Sequence, residues 1–167
     1  MRRKTGMNIA FALYAGLMIW LLFFQSARIP DYGAVGYWQR VGESLNLTPF
    51  RTIVHYLDVL LRKDYYLEKW GFASTYAYHA RHAVINLGGN VGMFIPLGFF
   101  LPEVFPKLKK LWKTLLASAG IVCAVEILQL FSLLGNCDVD DLILNLVGAA
   151  IGYGIFVIIR KMKQEPA

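Results

Sequence analysis

A chain of 167 residues that is 57% apolar and only 17% charged, with a mean hydropathy of +0.48, has too little polar surface to cover a soluble core. Its formal charge of +6 would suit nucleic acid. The basic residues, however, sit in blocks beside long apolar runs, so a membrane explains them and no nucleic-acid partner is expected.

The first run, residues 8–24, reads "NIAFALYAGLMIWLLFF" after an "MRRK" start. It is long for a signal-peptide core, and no small-x-small cleavage site follows, so an uncleaved anchor is expected. "SARIPDYGAVGYWQR" then reads as a turn-rich interfacial loop. After "NLTPF", residues Phe50, Ile53, Val54, Leu57, Leu60 and Leu61 recur at helical spacing with Arg51, His55, Asp58 and Arg62 elsewhere on the wheel. That pattern predicts an amphipathic helix, with Thr48 as N-cap and Pro49 at the first helical position. Such a helix suits the outer leaflet or a lid over the bundle. Residues 63–82 carry Tyr65, Tyr66, Trp70, Phe72, Tyr76 and Tyr78, the composition of an aromatic belt at headgroup level or a stacking surface for a sugar.

A second span is read at about 83–105, interrupted by Asn86, Asn90, Pro96 and glycines; a third at about 115–134; a fourth at about 142–159. With the N-terminus inside, the inner segments hold Arg2, Arg3, Lys4, Lys107, Lys109, Lys110, Lys113, Arg160, Lys161 and Lys163, whereas the remaining basic residues are diluted over a long outer loop. The positive-inside rule therefore predicts a multi-pass protein of the cell membrane with both termini cytoplasmic. Cys123, mid-span, reads as a small core residue; Cys137 lies roughly 20 Å away along a helix, too far to pair with it.

Polar residues inside spans are the most informative. His82, Asn86 and Asn90 share one face of the second span, Glu126 and Gln129 sit together deep in the third, and Asp138, Asp141, Asn145, Gly148 and Gly152 step along the fourth. Each stripe must turn away from lipid, which predicts a polar seam. Gly88 with Gly92 and Gly148 with Gly152 form GxxxG pairs suited to close helix packing. Glu126 is either a proton-transfer or ligand-anchoring group or a neutral acid gluing helices together. In "DVDD", Asp138 suits an N-cap, with Asp140 and Asp141 in the first turn, yet three acids exceed what a helix start needs. Asp140 is therefore read as the helix-start charge, while Asp138, Asp141 and Asn145 face the seam. Glu126, Asp138 and Asp141 are the candidate catalytic groups. They are also conceivable ligands for a hard cation, but Glu126 lies on another helix at a depth that need not match, so no metal and no cofactor are expected. "DVDD" also matches a proton-donor motif of terpene cyclases, whose folds are far larger than this chain. No phosphate-cradling loop or Ser-His-Asp spacing is present.

"NLTPF" (46–50), "NLGGNVGMFIPLGFFLP" (86–102), "EILQ" (126–129) and "DVDDLILNLVGAAIGY" (138–153) resemble, in order, the motifs of the VanZ-like family. The motif positions are Asn46, Pro49, Phe50, Asn86, Asn90, Pro96, Gly98, Glu126, Gln129, Asp138, Asp140, Asp141, Asn145 and Gly148. The resemblance implies a small multi-span bacterial membrane protein. It also implies an association with resistance to teicoplanin, a glycopeptide with a fatty-acyl tail, but it supplies no reaction. Many members carry a basic residue just before the aspartates, where this chain has "GNC" and no cation to clamp an anion.

The expected architecture is all-α, a membrane helical bundle of about four transmembrane helices plus an extracytoplasmic amphipathic helix. It divides into an anchor and outer loop (1–45), a membrane domain (46–160) and a cytoplasmic tail (161–167). Three functions stay open: binding or shielding of a lipid-linked cell-wall intermediate or an acylated glycopeptide, intramembrane catalysis on a lipid, and a purely structural membrane partner. Membrane lipids are the expected surroundings; the sequence leaves the oligomeric state open.

Overall fold

The computed structural model describes residues 2–25 and 36–163. Of the expected interfacial loop at 26–40, residues 26–35 lie outside the described residues, as do residues 164–167 of the tail, and the loop's end from Tyr37 onward is helical instead. Helix α1 (Arg2–Trp20) runs into a π-helical turn (Leu21–Gln25), and a short α2 (Tyr37–Glu43) leads to β1 (Leu45–Asn46). Two further helices, α3 (Arg51–Leu61) and α4 (Lys63–Trp70), precede the long α5 (Ala73–Val104). A 3-10 turn (Pro106–Leu108) leads into α6 (Leu111–Ser132), then β2 (Cys137–Asp138) and α7 (Val139–Met162). The protein is nearly all-α, and four of its helices are long and apolar enough to cross a membrane.

Contacts fix the directions of these four. Tyr14 donates to the Met93 carbonyl at 2.7 Å and Phe11 packs on Phe100 and Phe105, so α1 runs antiparallel to α5. Gly148 meets Val91 and Gly152 meets Ile95, so α5 and α7 run parallel. Tyr153 reaches the Lys109 carbonyl at 2.9 Å and Asp138 reaches Glu126, so α6 runs against α7. One end of the bundle, where α1 finishes and α7 starts, is the polar end; the opposite, terminal end holds Lys109, Arg160 and Lys163 around a hollow of about 210 Å³. Between them Met18, Phe94, Leu97, Leu101 and Val122 form the buried core.

The second span differs from its expectation in length. It starts ten residues before 83, at Ala73, and continues unbroken through Pro96 and Pro102. Its 32 residues rise roughly 48 Å, well beyond about 30 Å of hydrocarbon. Proline removes one rung of a helix ladder, and the Tyr14 hydroxyl donates to Met93 in the turn ahead of Pro96.

The small residues that let helices touch are only partly those expected. A side chain on Gly148 or Gly152 would collide with the carbonyls of Val91 or Ile95, and one on Gly98 with the carbonyl of Ala149. Gly88 and Gly92 face open space instead, so the GxxxG pair of the second span packs against no other element among the described residues. Cys123 is exposed on the outside of the bundle, not in its core, because α6 turns Val122 and Glu126 inward instead.

The amphipathic helix forms at 51–61, but its two faces are used in an unexpected way. Thr52, Tyr56 and Val59, one helical turn apart, face the bundle, and Val59 is buried. The apolar stripe of Phe50, Val54, Leu57 and Leu61 stays exposed, uncovered by any described part of the chain. The aromatic segment is also partly internal. Tyr66 is buried, its ring 4.7 Å from Trp70, and Trp70 stacks on His79 at 4.4 Å, whereas Phe72 and Tyr78 remain exposed as a belt would be.

Candidate functional site

Two short segments that are far apart in sequence meet at the polar end. Leu45 and Asn46 pair in parallel with Cys137 and Asp138, and the Cys137 N–H donates to the Ser44 carbonyl at 2.8 Å. This two-residue ladder brings "NLTPF" against "CDVDD", and the three aspartates then take three different partners.

Asp138 caps its own helix as expected: Oδ1 accepts from the Asp140 N–H at 2.9 Å. Its Oδ2 accepts from the Thr52 hydroxyl at 2.6 Å and from the Asn46 amide at 3.1 Å. Asp140 stands in the first turn of α7, as expected, but its carboxylate serves another helix. It is fully buried and accepts the backbone N–H groups of Phe50 at 2.5 Å, Thr52 at 2.7 Å and Ile53 at 3.0 Å. These are the orphan donors at the start of α3, so Asp140 on α7 is the N-cap of a different helix. Thr48 does not cap α3 and Pro49 is not its first residue, because Phe50, in a left-handed conformation (φ 64°), turns the chain immediately before Arg51. Asp141 accepts from the Asn90 amide on α5.

Behind this latch lies a polar cavity of about 800 Å³ between α3, α5, α6 and α7. It gathers every residue of the expected seam: His82, Asn86 and Asn90 from α5, Glu126 and Gln129 from α6, and Asp138, Asp141 and Asn145. The Glu126 carboxylate accepts the Asp138 N–H at 3.3 Å, so its depth does match that of the aspartates. Glu126 stands six residues before the end of α6, roughly 9 Å along the axis, and so lies near the polar end, not deep at mid-span. Gln129 reaches away to donate to the Leu22 carbonyl at 2.9 Å, in the π-turn where the ladder of the first span is loosened. It therefore ties α6 to the first span as well as lining the cavity.

Thr52 and Tyr56 complete the wall from α3 and were not among the expected seam residues. Their spacing of four on the polar side of an amphipathic helix is the signal that could have identified them. The Tyr56 hydroxyl lies 3.3 Å from His82 Nδ1. Burial first, then the charges of Asp141 and Asp138, raise the Tyr56 hydroxyl above its ordinary pKa, so it stays protonated as a donor. The Cys137 thiol at the cavity's edge is also raised, by burial and then by Glu126, and is therefore a poor nucleophile at neutral pH.

The cavity is rich in acceptors. Among the described residues lining it, Glu126, Asp138 and Asp141 are acids, His82 is the one group able to become cationic, and neither Lys nor Arg is present. Asn145 is 4% exposed and its side-chain oxygen has no partner; the Asn86 oxygen is likewise buried and unpartnered. Glu126 and Asp141 each spend one carboxylate oxygen on a protein donor and, among the described residues, have no donor on the other. Nothing here would cradle a phosphate. Among the described residues, no three His, Cys, Asp or Glu side chains converge closely enough to hold a metal ion.

In comparison with known protein families, a model described as VanZ/LLP1 aligns with residues 11–160, nearly the whole chain. No curated protein and no solved structure matches it.

Proposed function

Since the chain belongs to the VanZ/LLP1 family, we propose that it is a cell-envelope membrane protein whose polar-end cavity binds the head of an amphiphile. The occupant would be a lipid-linked wall intermediate or an acylated glycopeptide such as teicoplanin, and holding it would lower drug capture at the membrane. The observation that carries this reading is the cavity itself. Its about 800 Å³ falls in the roughly 300–1,000 Å³ range of small-molecule sites. It has unsatisfied polar groups at its base and apolar walls formed by Leu21, Leu22, Ile85, Val125 and Leu134. The uncovered stripe of Phe50, Val54, Leu57 and Leu61 lies on the opposite face of the helix that walls the cavity, where it suits the lipid interface.

Expression in a susceptible bacterium tests the proposal. Raised tolerance to teicoplanin but not to vancomycin, lost with Asn145→Leu at unchanged protein level, is the expected outcome. Unchanged susceptibility to both drugs at confirmed expression overturns the drug-shielding reading.

A second reading, catalysis on a lipid, draws on the two carboxylates Glu126 and Asp141, which line one cavity with an oxygen each to spare. Glu126→Gln and Asp141→Asn separate the readings. A catalyst loses its phenotype with either amide, a binder is weakened in proportion to charge lost, and a structural partner changes only in abundance.

A further inference from the structure

The reading of the cavity as an amphiphile site leaves open which chemistry of the head group is recognised. We propose that the cavity recognises a protonated amine, held by the free oxygens of Glu126 and Asp141 and the unpartnered side-chain oxygens of Asn145 and Asn86. The proposal rests on the amphiphile-binding reading and names the ligand class for that same site.

Three observations converge. First, one carboxylate oxygen each of Glu126 and Asp141 has no donor among the described residues, and the side-chain oxygens of Asn86 and of Asn145, only 4% exposed, are buried without one. A buried acceptor without a donor costs free energy, and a ligand that supplies the donor recovers it. Second, the lining opposes anions. Three carboxyl groups face one histidine, and among the described lining residues neither Lys nor Arg is present to hold a phosphate. The described cations around a hollow lie at the terminal end, where Lys109, Arg160 and Lys163 line theirs. Third, an ammonium group offers three donors from one point, which suits a cavity lined by oxygens from three helices, while a hydroxyl offers one. Bonds between a charged donor and a carboxylate are about twice as strong as neutral ones. No three His, Cys, Asp or Glu side chains among the described residues converge to hold a metal ion instead. The Tyr56 hydroxyl and His82 Nδ1, 3.3 Å apart, share a hydrogen bond with each other.

The test uses matched single-chain amphiphiles on the purified full chain in detergent: octylamine, octyl glucoside and octyl phosphate, with occupancy read by native mass spectrometry and affinity by thermal shift. Octylamine should bind at least tenfold more tightly than either of the others. The Glu126→Gln/Asp141→Asn double variant, which keeps the hydrogen bonds and deletes the charges, should abolish that preference, and Asn145→Leu should weaken amine binding severalfold. Lys109→Ala/Arg160→Ala removes octyl phosphate bound at the terminal end. If octyl phosphate still matches octylamine in that background, the proposal is overturned. Preference for octyl glucoside, lost with Asn145→Leu, overturns the amine while the amphiphile reading stands. If no probe responds to any cavity variant in folded protein, both fall. Should Asn145→Leu not fold, Asn86→Leu, at a half-buried position, carries the same comparison.

Discussion

Asp140 receives three backbone N–H groups from a segment about ninety residues earlier in the chain, and no side chain at the start of α3 does this work instead. Asp140→Ala leaves those donors buried without an acceptor. It should destabilise the protein by on the order of 2–3 kcal/mol, by the costs of a lost cap and of unmet bonds to a charged group. A thermal melt in detergent reads the loss, and limited proteolysis should cut first near α3. Asp140→Asn should cost less, since one oxygen remains to accept. A melt unchanged by Asp140→Ala would show that the latch is incidental. At Asp141 the same neutralisation should leave stability nearly intact, because an amide still accepts from Asn90.

At the scale of elements, two contacts make opposite predictions for glycines that look alike in sequence. Gly148→Val and Gly152→Val drive a side chain into the backbone of α5 and should each cost about 1–3 kcal/mol, whereas Gly88→Ala, facing open space, should be neutral or slightly stabilising. Equal melts for all three would refute the packing described. The junction of α3 and α4 has a pH limit of its own. The Tyr66 hydroxyl donates to Asp58 at 2.8 Å and, with the Arg62 guanidinium beside it, holds the Asp58 carboxyl below the usual carboxylate range. A lowered folded-state value means the contribution is complete above the unfolded pKa of about 3.9 and is lost as pH falls through the lowered value. Trp70, packed on Tyr66, should report that loosening as a fluorescence change below about pH 4. Asp58→Asn should flatten the change, and an identical titration in that variant would assign it to another group.

For the whole molecule, the acidic cavity and its latch lie at one end of the bundle, and a hollow lined by Glu103, Lys109, Arg160 and Lys163 lies at the other. The positive-inside rule predicts that the acidic end faces outward, the side from which the proposed envelope ligand or drug would arrive. A membrane-impermeant maleimide applied to intact cells should label Cys137, slowly because its thiol is held protonated, and should leave a Lys163→Cys, Cys137→Ala variant unlabelled until the cells are opened. The reverse pattern would invert the topology and remove the cavity from any extracellular ligand.

Much of this was legible in the chain. The four spans, the amphipathic helix at 51–61 and the polar seam from His82 to Asn145 follow from periods of three and four residues and from the cost of polarity in hydrocarbon, both of which are local properties of sequence. The same rules did not reveal what each polar residue touches. That Asp140 caps α3, that Glu126 stands level with Asp138, that Gly98 and not Gly88 packs against α7, and that Thr52 and Tyr56 wall the cavity all depend on pairings across the chain. Only the meeting of 45–46 with 137–138 sets those pairings, and two residues of extended chain carry no period for a sequence to display. The sequence determined that polar groups must face inward, because lipid leaves them no alternative; the tertiary structure decided which of them satisfy one another and which are left open to a ligand.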